Sequence, residues 1–321
     1  MNNMKVRVCL TDVCNFKCKY CRPGGEGEKG EKNLSDEELV KAITILVEEG
    51  FEAVRLTGGE PTLRKGYINL AKKIRKNEGI KKLTMVTNGS TLDHNSIVKL
   101  KQVGFKSITI SLDTVDKNKF AQVVGIDCFD KVLSTIIDMK QSGINVKINC
   151  VASKYNYDGL SKLIDFCNKN KIPLKILDLV CMDSVYWNKE WISLTKIKQY
   201  LESIATQIDV QYQDEGFGTP EYVYSLTGTT VTLKDSTLGT CYFKGCKECD
   251  KYPCQSGIVS MILTNDGKLK LCSLSNDYEV DLRPIISGEN VSRADLKKLI
   301  KLYNEAQFQN LWWQNIGSET K

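Results

Sequence analysis

The sequence predicts an α/β fold whose parallel sheet closes, or partly closes, as a barrel. Short runs rich in β-branched residues alternate with amphipathic runs of helical period, which is typical of βα units. Polar residues of chemical interest fall at the carboxyl ends of the strand-like runs, where barrels place their active sites. After Trp187 the alternation gives way to loops and a cysteine-dense segment, which indicates a second unit packed on the first.

The elements follow in a regular order along the first half of the chain. Six short strands bounded by turn residues are predicted at 6–11, 53–57, 83–87, 107–112, 146–152 and 174–180. Helices are predicted between them at 35–49, 67–76, 95–103, 129–141 and 157–168. The first helix opens with a capping box, Ser35-x-x-Glu38. Six strands joined by helices predict a partial (β/α)6 barrel of the TIM type.

Composition narrows the class of protein. The 321 residues carry a net charge of +6 and thirteen cysteines. We find no apolar run long enough to span a membrane and no signal-peptide core, so a cytoplasmic protein is expected. Clustered cysteines in a reducing compartment favour metal ligation over disulfides. The mild positive charge suits a phosphorylated substrate and does not itself predict nucleic-acid binding.

Three cysteines stand close together after the first strand, as Cys14-x3-Cys18-x2-Cys21. Thiolates at such spacing can converge on one iron–sulfur cluster, and three ligands leave one iron of a four-iron cube open. A zinc site is the alternative, but zinc usually takes two separated pairs of Cys or His ligands, and His94 is the only histidine. The spacing therefore predicts a cluster with an open iron.

This cysteine spacing, with Tyr20 just before the third cysteine, resembles the radical S-adenosylmethionine (SAM) superfamily. The resemblance implies that the open iron binds the methionine moiety of SAM. An electron from the cluster then splits SAM into a 5′-deoxyadenosyl radical, so the cofactors carry the difficult chemistry. On this resemblance the catalytic residues are Cys14, Cys18 and Cys21.

The same resemblance implies a SAM site around the cluster. The run Gly58-Gly59-Glu60-Pro61 follows the second strand and would approach the methionine ammonium, where close approach of the backbone needs glycine. Tyr20 would flank the adenine and Ser111 would reach the ribose or methionine portion, with Asn149 and Asp113 as weaker candidates. Taken alone, the glycine run is an ordinary turn and Ser111 a satisfied hydroxyl at a strand end.

Several longer motifs are similar to the GTP 3′,8-cyclase family of molybdenum cofactor biosynthesis. They are Thr11-Asp12-x-Cys14-Asn15, Leu56-Thr57-Gly58-Gly59-Glu60-Pro61, Ser111-Leu112-Asp113, Val146-Lys147-Ile148-Asn149 and Asn265-Asp266-Gly267-Lys268-Leu269-x-x-Cys272. In that family basic residues hold the triphosphate, and the matching positions here are Arg7, Arg55, Lys147 and Lys175. Lys175 replaces the usual arginine, which keeps the charge and loses the bidentate fork.

The sequence departs from that family in its second cysteine group. The family's Arg-x-Arg, which handles the guanine nucleotide, falls on Ser260 and Ile262, and its C-terminal Gly-Gly is replaced in a chain ending Glu319-Thr320-Lys321. The spacing Cys254-x12-Gly267-x4-Cys272 resembles instead the auxiliary-cluster domains called SPASM and twitch. The second group is expected to comprise Cys246, Cys249, Cys254 and Cys272, with Cys241 ambiguous and a structural zinc as the alternative.

We therefore interpret residues 1–212 as a radical SAM partial barrel and residues 213–321 as a twitch-like auxiliary-cluster domain and tail. The expected cofactors are two [4Fe-4S] clusters and SAM. The expected enzyme abstracts hydrogen from a small-molecule, nucleotide or peptide substrate and takes electrons from a donor such as flavodoxin or ferredoxin. GTP 3′,8-cyclisation is the alternative within the superfamily. A non-catalytic iron–sulfur carrier and a zinc-ribbon nucleic-acid binder are the alternatives from other classes.

Overall fold

The computed structural model describes residues 4–21, 33–181, 184–212, 220–235, 240–252, 254, 256–289 and 291–308. The C-terminal tripeptide, where the sequence lacks the family's glycines, lies outside these residues. Within these residues, twelve strands join in one sheet in the order β12-β11-β10-β1-β2-β3-β4-β5-β6-β9-β8-β7. This part of the sheet therefore has two ends and does not close on itself.

The middle of the sheet is the predicted barrel. Its six strands are parallel and neighbour one another in chain order. They are β1 (Met4–Cys9), β2 (Phe51–Thr57), β3 (Lys82–Thr87), β4 (Ser107–Ser111), β5 (Val146–Val151) and β6 (Leu174–Leu177). All six predicted strands are confirmed, with ends that differ by a few residues.

Helices connect these strands, as expected for parallel neighbours. They are α1 (Asp36–Glu48), α2 (Tyr67–Arg75), α3 (His94–Val103), α4 (Lys117–Val124), α5 (Phe129–Gln141) and α6 (Leu160–Asn170). The capping box is present, because the Ser35 hydroxyl accepts from the Glu38 amide and the Glu38 carboxylate accepts from the Ser35 amide. Helix α4 is the one among them that the sequence reasoning did not predict.

The remaining strands extend the barrel sheet at both ends, and the remaining helices lie before and after them in the chain. They are α7 (Ser184–Glu190), α8 (Thr195–Ile204), β7 (Gln207–Tyr212), β8 (Pro220–Ser225), β9 (Thr230–Lys234), β10 (Met261–Leu263), β11 (Lys268–Lys270), β12 (Glu279–Asp281), α9 (Arg283–Ser287) and α10 (Ala294–Phe308). Strand β9 pairs in parallel with β6, and β10 pairs in parallel with β1. Strands from beyond residue 212 thus continue the barrel's own sheet, and the domain boundary at 212 stays a prediction.

The alternation of side chains along the strands positions the site. In β1, Val6 and Val8 are fully buried, whereas Arg7 between them points to the opposite face. In β2, Val54 and Leu56 are buried, and Arg55 between them is exposed. The apolar side chains pack with the helices in one continuous core, which leaves polar side chains for the concave face of the sheet. None of the described helices has the length and apolarity to cross a lipid bilayer.

Candidate active site

The loop with Cys14, Cys18 and Cys21 leaves the carboxyl end of β1, as the sequence predicts. Backbone hydrogen bonds fix it at its middle, where the Lys17 amide donates to the Val124 carbonyl (2.8 Å) at the end of α4. The Cys21 amide donates to the Cys18 carbonyl (3.0 Å) and closes a tight turn. Helix α4 therefore holds the loop that carries the three cysteines.

An aromatic cluster packs against the same loop. Phe16 is buried and meets Phe120 of α4 edge to face, with ring centroids 6.1 Å apart, and Phe120 in turn meets Phe129. Sequence signals for α4 were present. Asp116 caps its amino end by accepting from two backbone amides, and Gly125 ends it in the left-handed conformation.

Gly58 and Gly59 pack directly against the backbone of the cysteine loop. The Gly59 amide donates to the Thr11 carbonyl (2.7 Å), and Gly58 has a φ of 138°, which disfavours any other residue. A Cβ on Gly58 would lie 2.3 Å from the Thr11 oxygen, and one on Gly59 would lie 2.4 Å from the Val13 oxygen. The glycines are therefore required by the contact between β2's end and the cysteine loop, and their predicted approach to SAM stays a prediction.

Glu60 is buried in a hydrogen-bond network. Its carboxylate accepts from the Thr62 amide and hydroxyl, from the Thr87 hydroxyl and from the Asn88 amide (2.6 Å). Burial raises the pKa of Glu60, while these hydrogen bonds oppose the rise. The Asn88 side chain continues the network to the cysteine loop, because it donates to the Asn15 side chain (2.8 Å). Glu60 thus ties the ends of β2 and β3 to that loop.

Tyr20 is tied to a second carboxylate at the end of β4. Its hydroxyl donates to Asp113 (2.7 Å), and the other Asp113 oxygen accepts from the Val151 amide (2.8 Å). Burial raises the pKa of Asp113 to about 6, against the effect of its two hydrogen bonds. Asp113, a weaker candidate from the sequence, is thus the residue that joins the cysteine loop to β4 and β5. Ser111 and Asn149 lie opposite each other in the same two strands.

A cavity of about 640 Å³ fills the concave face of the sheet. Six predicted site residues line it, namely Arg7, Arg55, Lys147, Lys175, Tyr20 and Asn149. The strand register aligns them, since Arg7 lies opposite Arg55 and Asn149 lies opposite Lys175. The sequence therefore correctly grouped these cations on one side of the sheet.

Cations crowd one another in part of this cavity. Burial lowers the pKa of Lys147, and the charges of Lys82, Arg55 and Lys106 lower it further. Lys82 was not selected from the sequence, although it lines the same cavity. A cavity lined by charges of one sign attracts ions of the opposite sign.

Arg7 and Lys175 each make a polar contact with a residue that the sequence places far away. Arg7 donates through Nε to the Ser260 hydroxyl (2.9 Å), which is the position where the sequence lacks one family arginine. Ile262, at the other lacking position, is buried in β10. Lys175 donates to the Glu221 carboxylate (2.5 Å), and burial lowers the pKa of Lys175 to about 8 although Glu221 raises it. Glu221 had no signal in the local sequence.

The second cysteine group lies between β9 and the β11–β12 turn. Burial and then the neighbouring charges of Cys254, Cys272 and Cys249 raise the pKa of Cys246 to about 12, so the four thiols lie near one another. Cys241 is buried. The Gly257 amide donates to the Cys254 sulfur and the Leu274 amide to the Cys272 sulfur (3.5 and 3.2 Å). Such N–H groups stabilise thiolate ligands.

Both cysteine groups fit iron–sulfur clusters in the chemistry of their donors. The Phe16 amide donates to the Cys14 sulfur (3.4 Å), and burial followed by the charges of Asp113, Cys21 and Cys14 raises the pKa of Cys18. Within the residues that the structure describes, no three Cys, His, Asp or Glu side chains are close enough to ligate a single metal ion. Donor sets made of thiols alone are those that hold four-iron clusters, so the residues present fit such a cluster.

Comparison with known proteins identifies the family. Residues 8–167 match the radical SAM superfamily. The probable GTP 3′,8-cyclase of Sulfurisphaera tokodaii is 31% identical over 306 residues, which cover 94% of this chain and 90% of that protein. The GTP 3′,8-cyclase of Thermodesulfovibrio yellowstonii is 32% identical over 292 residues, covering 88% of this chain and 84% of that protein. The predicted cofactors, SAM and two [4Fe-4S] clusters, are confirmed by this kinship.

Solved structures confirm the fold. The crystal structure of Streptococcus suis SuiB bound to S-adenosylmethionine superposes with a TM-score of 0.67 at 18% identity, covering 94% of this chain and 67% of that one. Native anSMEcpe with bound AdoMet and a peptide superposes with a TM-score of 0.61 at 17% identity, covering 94% and 83%. The partial barrel is therefore the expected one. The family match and the curated relatives are those of enzymes, which favours an enzyme over the non-catalytic carrier. The chain belongs to the radical SAM superfamily of enzymes, in the group that includes the GTP 3′,8-cyclases.

Proposed function

We propose that the chain is a GTP 3′,8-cyclase, which is the alternative activity that the sequence motifs indicate. The relatives with that name match it along most of their length. The observation that carries the proposal is the cationic group inside the barrel, where Arg55, Lys82 and Lys147 lie together. A triphosphate carries the negative charge that such a group of cations attracts.

The two cysteine groups and the cations of the cavity have separate roles. Cys14, Cys18 and Cys21 hold the first cluster, and Cys246, Cys249, Cys254 and Cys272 hold the second. When bound, the first cluster and SAM supply the radical chemistry that removes a hydrogen atom from the substrate. Arg55, Lys82 and Lys147 bind the triphosphate and so position the nucleotide in the cavity that Tyr20 of the cysteine loop also lines.

The guanine end of the site differs from the family pattern. Ser260 and Ile262 stand where the family's two arginines are expected. Arg7 donates a hydrogen bond to the Ser260 hydroxyl, and Ile262 is buried in β10. Recognition of the base by those arginines is therefore lost. The proposed reaction class is supported by Arg55, Lys82 and Lys147, and other groups have to select the base.

The proposal is tested with anaerobically reconstituted protein, dithionite, SAM and a panel of GTP, ATP, CTP and GMP. We expect GTP to stimulate 5′-deoxyadenosine formation and to give a cyclised nucleotide that chromatography with mass spectrometry separates from GTP. Arg55→Gln should raise the KM for GTP by roughly tenfold or more, because it removes a charged phosphate contact. No stimulation by GTP would refute the proposal, and stimulation by another triphosphate alone would keep the class and change the base.

A further inference from the structure

The cavity is not uniformly basic. Its lining includes seven cations, namely Lys5, Arg7, Arg55, Lys82, Lys147, Lys175 and Lys234. Against them stand two carboxylates, Asp178 just after β6 and Glu221 in β8. The lining residues that β1 to β6 contribute include no acid. The two carboxylates therefore lie at one end of the cavity, where β6 is followed in the sheet by β9 and β8.

Glu221 reaches the cavity because of how β8 and β9 extend the sheet. Strand β9 pairs in parallel with β6, and β8 pairs antiparallel with β9. In this register Val223 lies opposite Thr232, which lies opposite Lys175, so these residues share one face. Glu221, two residues before Val223, lies on the same face with its side chain 8% exposed.

The Lys175–Glu221 pair is well shielded from water. The Lys175 ammonium is 2.5 Å from the Glu221 carboxylate, and the Lys175 side chain is 27% exposed. A shielded pair is costly to separate, because either partner alone leaves an uncompensated charge. A phosphate that bound Lys175 would also lie beside the Glu221 carboxylate, and like charges at that range repel strongly.

The part of the cavity lined by β2, β3 and β5 has the contrary character, although β5 neighbours β6 and Arg55 also acts on Lys175. Lys147 is surrounded by the positive charges of Lys82, Arg55 and Lys106, and Arg55 and Lys147 are both exposed to the cavity. We refer to Arg55, Lys82 and Lys147 as the cationic side. An anion placed there lowers the repulsion among three cations, whereas one placed at Lys175 meets a carboxylate.

We propose that Glu221 is a specificity-determining residue that withholds Lys175 from phosphate and confines polyphosphate to the cationic side. The Lys175–Glu221 pair offers a donor and an acceptor side by side, which matches an uncharged polar group such as a sugar hydroxyl. The inference rests on the proposed nucleoside triphosphate substrate and changes the role that Lys175 was expected to have.

The test measures binding of inorganic triphosphate to the anaerobically purified protein by calorimetry. Glu221→Gln keeps an oxygen acceptor for Lys175 and removes the negative charge, so triphosphate should bind roughly tenfold more tightly. Glu279→Gln is the matched control, since Glu279 is paired with Lys268 (2.9 Å) on β12 at the far end of the sheet. It should change the affinity less than twofold.

Further variants separate the outcomes. Lys175→Met alone should weaken triphosphate binding, because it leaves the Glu221 charge unbalanced, and the double variant with Glu221→Gln should restore wild-type affinity. Unchanged or weaker binding in Glu221→Gln, or loss of binding in the double variant, would overturn the inference. Because the probe lacks a base, tighter binding in Glu221→Gln by a protein that GTP does not stimulate would support the inference and refute the cyclase proposal.

Discussion

Replacing Gly59 by alanine tests whether the glycine run positions the cysteine loop. The added Cβ would lie 2.4 Å from the Val13 oxygen and 2.6 Å from its carbonyl carbon, and both are backbone atoms that cannot rotate away. For the Val13 oxygen to reach 3.4 Å, where ordinary contact begins, it has to move by about 1 Å. Val13 directly precedes Cys14, so the first cysteine shifts with it. A misplacement of about 1 Å costs roughly 100-fold in the rate of a positioned reaction.

We therefore expect Gly59→Ala to lower the rate of 5′-deoxyadenosine formation by about 100-fold and to reduce iron bound at the first site. The assays are iron per chain and the SAM-dependent change in the spectrum of the reduced cluster. Gly159→Ala is the matched control, because Gly159 has a φ of −99° and its Cβ would lie 3.4 Å from the Thr114 hydroxyl. Wild-type iron content and a rate within about threefold of wild type in Gly59→Ala would refute the reasoning.

Three further predictions concern the other parts of the site. Asp113→Ala leaves the Tyr20 hydroxyl and a backbone amide of β5 without their acceptor, so the free energy of unfolding should fall by about 2–6 kcal/mol in urea titrations, and Asp113→Asn should lose less. Lys175 loses its positive charge as pH rises through about 8, so triphosphate affinity should fall over that range, and in Glu221→Gln this inflection should move to lower pH because Glu221 raises the pKa of Lys175. Cys254→Ser should remove about half of the iron while the SAM-dependent spectral change remains.

Local sequence pattern was sufficient to predict the barrel strands. In β2 the alternation of Val54 and Leu56 with Arg55 states both that the segment is a strand and which face each side chain takes. Arg7, Arg55 and Lys147 were grouped through the family resemblance; all three line the cavity, and their role in binding stays a prediction. The strand predictions succeed because strand formation depends on neighbours within a few residues.

Local sequence pattern could not predict which distant segments of the chain pair with each other. The Tyr20–Asp113 hydrogen bond joins residues 93 apart in the chain, and the Lys175–Glu221 pair joins residues 46 apart. The parallel pairing of β10 with β1 likewise brings Met261 beside Val6. Which edge of a sheet a later strand joins depends on the packing of the whole chain, and periodicity within a strand carries no information about it.

The position of the cysteine loop is set by the barrel and not by the cysteines themselves. The end of β2 contacts it through Gly59, the end of β4 through Asp113 and Tyr20, and α4 through the Lys17 amide. These contacts approach the loop from three separate elements, so displacement of any one changes the geometry of all three cysteines. A thiolate group that is fixed before iron arrives gives up little conformational freedom when the cluster forms. The network of Glu60, Asn88 and Asn15 belongs to the same support, which is why a carboxylate with four protein hydrogen bonds is required beside the glycine run whether or not it also contacts SAM.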